Sequence, residues 1–156
     1  PWGLPADGYG PTRNGQLAFW IINACEVIPA MIDFRQLPGG RTPLRQAFDP
    51  WMPVFAGGLH AVLGWRTSPF FEDNVAVNTA ITIRYSRSVV YTWLDMARID
   101  PVYRWRMEYV SQFTGVRQPH GRAAVVFRCG TEGDRAWNVD KLGPLDCLRM
   151  LYWTNR

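Results

Sequence analysis

A short apolar run that ends at a cysteine constrains the fold more than any other feature of this chain. Residues 19–22 read Phe-Trp-Ile-Ile, and the run stops at Asn-Ala-Cys-Glu, which places a thiol at Cys25. A continuous, β-prone run of this length predicts a strand buried on both faces, as in a parallel sheet. In open α/β sheets the chemistry lies at the carboxyl ends of the strands, so Cys25 is a candidate nucleophile. The alternative is that Cys25 is a small buried hydrophobe, which is common for a free cysteine.

Two further apolar runs, at 59–63 and 123–127, predict strands that could lie beside the first. The clearest helix is predicted at 88–99, where Ser88 can act as N-cap and apolar residues recur at helical spacing. Other helices are predicted at 41–48, 73–83 and 101–113, and a final strand or short helix at 146–154. This order predicts an α/β fold with a mostly parallel sheet flanked by helices. We expect 19–24 and 59–63 to be adjacent parallel strands joined by a helical crossover.

The composition favours a folded, aromatic-rich protein. The 156 residues suit one domain, 1–156, and the eight Trp, eight Phe and six Tyr suggest a dense core or an assembly interface, so a homo-oligomer is a candidate state. The net charge is +4, but the basic residues lack the clustering expected of a nucleic-acid-binding surface.

No apolar run is long enough to span a bilayer. The chain begins at Pro1 with neither Met nor a signal-peptide pattern, so we expect a processed form or the C-terminal part of a longer precursor.

The three cysteines allow two interpretations. Cys129 and Cys147 could form a disulfide, which leaves Cys25 as a free thiol in a secreted, extracellular protein. Alternatively, all three are reduced thiols of a cytosolic protein. The spacing of Cys129 and Cys147 and their loop-rich context favour the disulfide.

The segment 22–26, Ile-Asn-Ala-Cys-Glu, resembles the nucleophile segment of the caspase, legumain and gingipain clan of cysteine peptidases. The segment 58–65, Gly-Leu-His-Ala-Val-Leu-Gly-Trp, is similar to a motif of an uncharacterised domain-of-unknown-function family in that clan. Trp93, Asp134 and Trp137 extend the resemblance along most of the chain. The resemblance implies a caspase-like domain whose N-terminal strands lie upstream of this chain, with Cys25 as nucleophile.

The catalytic histidine is the point at which the chain departs from this pattern. The resemblance places that histidine in a His-Gly motif that would lie upstream of Pro1, and no His precedes Cys25. A free thiol is only a few per cent thiolate at neutral pH and needs a base for amide hydrolysis. His60 is the alternative base, although a histidine within a strand is more commonly a packed core residue. His120 has the wrong order in the chain, which favours a solvated loop position.

The remaining polar residues indicate neither a metal site nor a cofactor. No pair of Cys or His has metal-ligand spacing, and the Gly-rich segment 130–133 is too short and too acidic to hold a phosphate. Several acids lie near predicted strand ends, where they could line a pocket or simply be solvated: Glu26, Asp73, Glu132 and Asp134.

Two functions therefore remain open. The first is a caspase-like cysteine peptidase that acts on a peptide or protein, and the second is a non-catalytic extracellular binding or assembly protein with the same fold. For either function we expect the Cys25 thiol to open near the loops after Trp65 and Phe127 and to react with iodoacetamide. We expect little peptidase activity from this chain, because no histidine is placed in the usual position to activate the thiol.

Overall fold

The computed structural model describes residues 17–34, 40, 42–69, 74–85, 87–99, 107–112, 114–137 and 139–154. The strands are β1 (Phe19–Ile21), β2 (Ala61–Trp65), β3 (Glu108–Val110), β4 (Arg117–Pro119), β5 (Ala123–Arg128) and β6 (Leu148–Tyr152). The helices are α1 (Pro43–Phe48), α2 (Met52–Ala56), α3 (Val75–Ile83) and α4 (Val89–Ile99), with 3-10 turns at Met31–Asp33 and Asp49–Trp51. In the described part of the chain, no helix is long and apolar enough to cross a membrane.

Four strands form the main sheet in the order β1-β2-β5-β6. β1 and β2 are adjacent and parallel, with Phe19 opposite Ala61 and Ile21 opposite Leu63. The connection between them contains α1 and α2, so the predicted parallel pair with a helical crossover is confirmed. The protein is therefore a mixed α/β structure with helices on the sheet.

The expectation of a mostly parallel sheet holds only for β1 and β2. β5 runs antiparallel to β2, and β6 runs antiparallel to β5. The described residues of the connection between β5 and β6 form no helix, so the two strands pair as antiparallel neighbours. The apolar runs did not reveal this, since a central strand covered on both faces is continuously apolar whichever way its neighbours run.

Both faces of β2 are buried, which explains its continuous apolar sequence. Leu63 and Trp65 face one core cluster, where the Trp93 ring from α4 meets the Trp65 ring edge-on at 5.3 Å between centroids. Val62 faces a second cluster that includes Phe55 of α2. β5 is buried along its whole length in the same way, whereas β1 is only half-buried.

The predicted helix N-termini at 42–43 and 88 are confirmed. Thr42 caps α1, accepting at its hydroxyl the N–H of Arg45 at 3.4 Å, and Pro43 occupies the first helical position. The Ser88 hydroxyl accepts the N–H of Tyr91 at 3.4 Å at the start of α4.

The predicted helix at 101–113 is wrong where the structure describes it. Residues 101–106 and 113 lie outside the described residues, but Glu108–Val110 forms β3, paired antiparallel with β4 in a separate two-stranded sheet. The turn between these strands contains Gly115 at φ +67°, a conformation that glycine adopts without strain. The short strands carry no clear period-two pattern, so the hairpin has little sequence signal.

The predicted disulfide between Cys129 and Cys147 is present, with 5.5 Å between their Cα atoms. Cys129 follows β5 and Cys147 precedes β6, so the bond closes the connection between two antiparallel strands. Arg128 is the last residue of β5, and its guanidinium donates hydrogen bonds to two carbonyls in this connection, those of Gly143 and Pro144, at 2.9 and 2.6 Å. Cys25 is a free, exposed cysteine, as predicted.

Candidate functional site around Cys25

The carboxyl ends of β1 and β2 bring Cys25 and Ser68 into contact. The strands are parallel, so the segments that follow them emerge at the same edge of the sheet. Cys25 Sγ lies 3.1 Å from Ser68 Oγ, and the thiol is exposed. The predicted position of Cys25 near the loop after Trp65 is therefore confirmed. The loop after Phe127 leaves from the opposite edge instead, because β5 is antiparallel to β2.

His120 contacts the same serine. Its Nδ1 lies 3.0 Å from the Ser68 carbonyl oxygen, which can only accept a hydrogen bond. A neutral His120 must therefore carry its proton on Nδ1, which leaves the lone pair on Nε2. His120 is half-buried, and its backbone N–H donates to the Met107 carbonyl at 3.0 Å. The sequence favoured a solvated loop position for His120. In the structure His120 instead packs against the loop after β2, where Ser68 also contacts Cys25.

Tyr109 from β3 joins these residues from the side. Its hydroxyl donates to Glu26 Oε1 at 2.7 Å and accepts the backbone N–H of Ser68 at 3.0 Å. Its ring lies 4.7 Å from the His120 ring, measured between centroids. Burial and the hydrogen bond to Glu26 raise the pKa of Tyr109 well above its usual value, so the side chain remains a neutral phenol.

Glu26 follows the thiol directly and has an unusual backbone. Its φ is +49°, in the left-handed region that non-glycine residues seldom adopt, at a cost of about 1–2 kcal/mol. The side chain is buried, and its two carboxylate oxygens accept the Tyr109 hydroxyl and the backbone N–H of Gln112, the latter at 3.2 Å. These bonds hold the strained residue in place, and backbone strain of this kind is concentrated at functional sites.

The segment around Cys25 is anchored to the end of β2 by backbone and side-chain contacts. The Trp65 indole N–H donates to Asn23 Oδ1 at 2.7 Å, and the Ile28 N–H donates to the Trp65 carbonyl at 3.0 Å. A Cβ added to Gly64 would lie 2.5 Å from Val27 Cγ1. The close passage of this segment over β2 therefore requires a glycine at position 64.

A buried ion pair completes the support of this edge. Arg66 donates to both carboxylate oxygens of Asp33, at 2.8 Å from Nε and 2.7 Å from a terminal nitrogen. Both side chains are 5 % exposed. Nearby, burial and the like charge of Arg66 lower the pKa of Arg122. The segment 25–34 is thus fixed to the loop that carries Ser68.

His60 lies at the other edge of the sheet. It directly precedes β2, whose five residues span about 13–17 Å at the usual rise of a strand, whereas Ser68 follows β2. The His60 side chain is fully buried, and its Nδ1 lies 2.6 Å from Asp134 Oδ2. Its Nε2 is buried without a hydrogen-bond partner among the described residues. The structure therefore separates Cys25 from His60, the residue that the sequence proposed as an alternative base.

The four candidate acids fall in different places. Glu26 belongs to the Cys25 site, and Asp134 pairs with His60. Glu132 Oε1 lies 3.9 Å from a terminal guanidinium nitrogen of Arg149, and Asp73 lies outside the described residues. No group of three or more His, Cys, Asp or Glu in the described part of the chain could hold a metal ion.

Sequence reasoning identified Cys25 and its place near the loop after Trp65, but it missed the roles of Tyr109 and His120. Both residues come from the β3–β4 hairpin, 41 and 52 positions from Ser68 in the chain. The Gln-Pro-His-Gly segment at 118–121 was the only signal available. It resembles a His-Gly motif, but its position in the chain argued against a catalytic role.

Comparison with known proteins adds no relative to this description. No protein-family model, curated protein or solved structure matches the chain. The function is therefore argued from the contacts around Cys25.

Proposed function

We propose that this chain is a cysteine-dependent hydrolase of caspase-like fold, with Cys25 as nucleophile and His120 as general base. The observation that carries the proposal is that Cys25 and His120 both contact Ser68, one at its hydroxyl and one at its carbonyl. The thiol is exposed, so a substrate can reach it. The resemblance of the segment 22–26 to the nucleophile segment of a cysteine peptidase clan points to an amide bond in a peptide or protein as the substrate.

The proposed reaction proceeds through a thioester. His120 Nε2 takes the thiol proton, and Cys25 Sγ attacks the carbonyl carbon, so that an S–C bond forms and a negative charge develops on oxygen. The C–N bond then breaks, and the imidazolium returns the proton to the leaving amine. A water molecule, deprotonated by His120, next attacks the thioester. The carboxylic acid leaves, and the proton returns to sulfur.

His120 takes the place of the histidine that the resemblance would put upstream of Pro1. Its Nδ1–H is oriented by the Ser68 carbonyl, and this arrangement leaves Nε2 as the basic nitrogen. A hydrogen bond from Nδ1 to an oxygen acceptor is the usual means by which a protein selects the tautomer of a basic histidine. In this proposal the general base therefore comes from the β3–β4 side of the site.

The test is hydrolysis of a mixed fluorogenic peptide library by the wild type and three variants. Cys25→Ala should abolish cleavage, and His120→Gln should lower it by about 10²–10⁴-fold, the usual contribution of a general base. Arg117→Gln is the matched control, because Arg117 is an exposed residue of the same hairpin. Cleavage that survives Cys25→Ala would refute the proposal. Cleavage that requires Cys25 but not His120 would assign the base to another residue.

A second candidate is a non-catalytic extracellular assembly protein in which copies of this chain associate through α3. The observation that favours it is a group of exposed apolar side chains. Val77 and Ile81, four residues apart on α3, are 57 % and 47 % exposed, and Tyr85, two residues after the helix, is 71 % exposed. The disulfide is compatible with an extracellular location. Sedimentation analysis of Ile81→Glu beside the control Asn78→Glu, also on an exposed position of α3, tests this candidate. A wild type that is monomeric at high concentration excludes assembly through this helix.

A further inference from the structure

Tyr109 contacts three residues that surround the thiol. Its hydroxyl donates to Glu26, the residue that follows Cys25, and accepts the Ser68 N–H, while its ring lies against His120. A single side chain thus touches the neighbour of the nucleophile, the serine that contacts the thiol and the proposed base.

The direction of each hydrogen bond follows from chemistry. A backbone N–H can only donate, so the Tyr109 oxygen accepts from Ser68, and its own proton is then directed to the Glu26 carboxylate. The raised pKa of Tyr109 agrees with this arrangement, because burial disfavours the phenolate and a phenol that donates to a carboxylate resists ionisation. The two bonds therefore persist at neutral pH.

We infer that Tyr109 is a positioning residue that sets the thiolate fraction of Cys25 by holding Ser68 between the thiol and His120. The inference rests on the proposed function, since it assumes that His120 and Cys25 exchange a proton. Ser68 donates its N–H to Tyr109, meets Cys25 through its hydroxyl, and accepts at its carbonyl from His120 and from the Gly121 N–H at 2.9 Å. Loss of the first contact removes the hydrogen bond that fixes the amide end of Ser68, next to the hydroxyl that meets the thiol.

A merely structural role makes a different prediction. If Tyr109 only anchors the β3–β4 hairpin, its loss changes the access of a reagent to Cys25, and the labelling rate changes by the same factor at every pH. If Tyr109 sets the thiolate fraction, the labelling rate falls near neutral pH and recovers at high pH, where any thiol is ionised. The pH profile of labelling separates these two roles.

The experiment measures the rate of Cys25 alkylation by iodoacetamide between pH 5 and pH 10.5 in the folded protein. Tyr109→Phe keeps the ring against His120 and removes only the hydroxyl. We expect the labelling midpoint to rise by roughly one pH unit relative to the wild type, with a rate at pH 7 about tenfold lower and an unchanged rate at pH 10. Tyr91→Phe, an exposed tyrosine on α4, is the matched control.

Glu26→Ala provides a second variant with an opposite electrostatic expectation. Removal of a negative charge next to Cys25 favours the thiolate, so electrostatics alone lowers the labelling midpoint. Release of Tyr109 from its acceptor raises the midpoint if the inference holds. Glu26→Gln removes the same charge but keeps an oxygen acceptor for the Tyr109 hydroxyl. A higher midpoint in Glu26→Ala than in Glu26→Gln therefore supports the inference, and equal midpoints overturn it, even if Tyr109→Phe fails to fold.

An unchanged profile in Tyr109→Phe, or a rate changed equally at all pH values, overturns the inference. His120→Gln, measured in the same way, tests the proposed function separately. A midpoint in His120→Gln that lies above the wild-type midpoint supports the coupling of His120 to the thiol. A wild-type midpoint in His120→Gln refutes His120 as the base, while the Tyr109→Phe profile still decides whether the hydroxyl controls the thiol.

Discussion

Each edge of the main sheet carries a histidine, and the two histidines differ mainly in their access to solvent. At the amino edge of β2, His60 is fully buried and bonded to the Asp134 carboxylate at 2.6 Å. At the carboxyl edge, half-buried His120 is bonded to the Ser68 carbonyl at 3.0 Å, and the same serine contacts the exposed thiol of Cys25.

The comparison shows that partner type alone does not identify a catalytic histidine. A His–Asp pair resembles a catalytic dyad by its contacts, yet His60 is packed between that carboxylate and the ring of Phe19, 5.8 Å away between centroids. A general base must lie within hydrogen-bond reach of a proton on or near the substrate. Among the described residues, only the carboxyl edge combines a histidine with an accessible nucleophile, so our proposal places chemistry at that edge and stability at the other.

The largest expected effect concerns the ion pair that supports the carboxyl edge. Asp33→Ala leaves the Arg66 guanidinium buried without its bidentate carboxylate, which should lower the free energy of unfolding by about 3–5 kcal/mol. Urea denaturation measures the loss. Asp49→Ala is the control, because the Arg45–Asp49 pair at 3.8 Å is on the surface and should contribute about 0–1 kcal/mol. Equal losses in the two variants would show that Asp33 does not anchor this edge.

The second prediction compares the same substitution at the two histidines. His60→Gln should lower the free energy of unfolding by about 1–3 kcal/mol, because it disturbs a buried hydrogen bond, and should leave Cys25 labelling unchanged. His120→Gln should change stability by less than about 1 kcal/mol and slow labelling at pH 7. Urea denaturation and iodoacetamide labelling of both proteins give the four values. A labelling defect in His60→Gln would break the proposed division between the edges.

The third prediction concerns the close passage of the Cys25 segment over β2. A methyl group on Gly64 would meet Val27 Cγ1 at 2.5 Å and the Ile22 carbonyl oxygen at 3.1 Å. Gly64→Ala should therefore cost about 1–3 kcal/mol, as overpacking does, and should alter Cys25 labelling. Gly133→Ala is the control, since an added Cβ there meets nothing within 4 Å. Thermal unfolding that is equal for the two variants would contradict the close approach.

The sequence predicted the strands better than it predicted their directions. The apolar runs located β1, β2 and β5 to within a few residues, because burial on both faces removes polar side chains from a strand. Burial is the same for parallel and antiparallel neighbours, so the runs could not show that β5 returns in the opposite direction. The long connection between β2 and β5 allowed either direction.

The same limit applied to the site. Cys25 and Ser68 were predictable together, because each follows a strand and the two strands are parallel neighbours. Tyr109 and His120 were not, because three-residue strands such as β3 and β4 carry too few side chains to show a period. Their positions depend on tertiary contacts with Glu26 and Ser68 rather than on local sequence.

The smallest expected effect is a loss of unfolding free energy at alkaline pH that depends on Tyr109 at the carboxyl edge. The folded pKa of Tyr109 is raised above the unfolded value of about 10, so the folded state keeps the phenol proton that the unfolded chain releases. The stabilisation is fully present below about pH 10 and is lost as the pH rises from there toward the folded pKa. The stability advantage of the wild type over Tyr109→Phe should therefore be smaller at pH 10.5 than at pH 8, by less than about 1 kcal/mol, as measured by urea denaturation at both values. Tyr85→Phe, with its side chain 71 % exposed, controls for the loss of any tyrosine hydroxyl. If the advantage over Tyr109→Phe is the same at both pH values, ionisation of the phenol does not affect the stability that Tyr109 gives to the carboxyl edge.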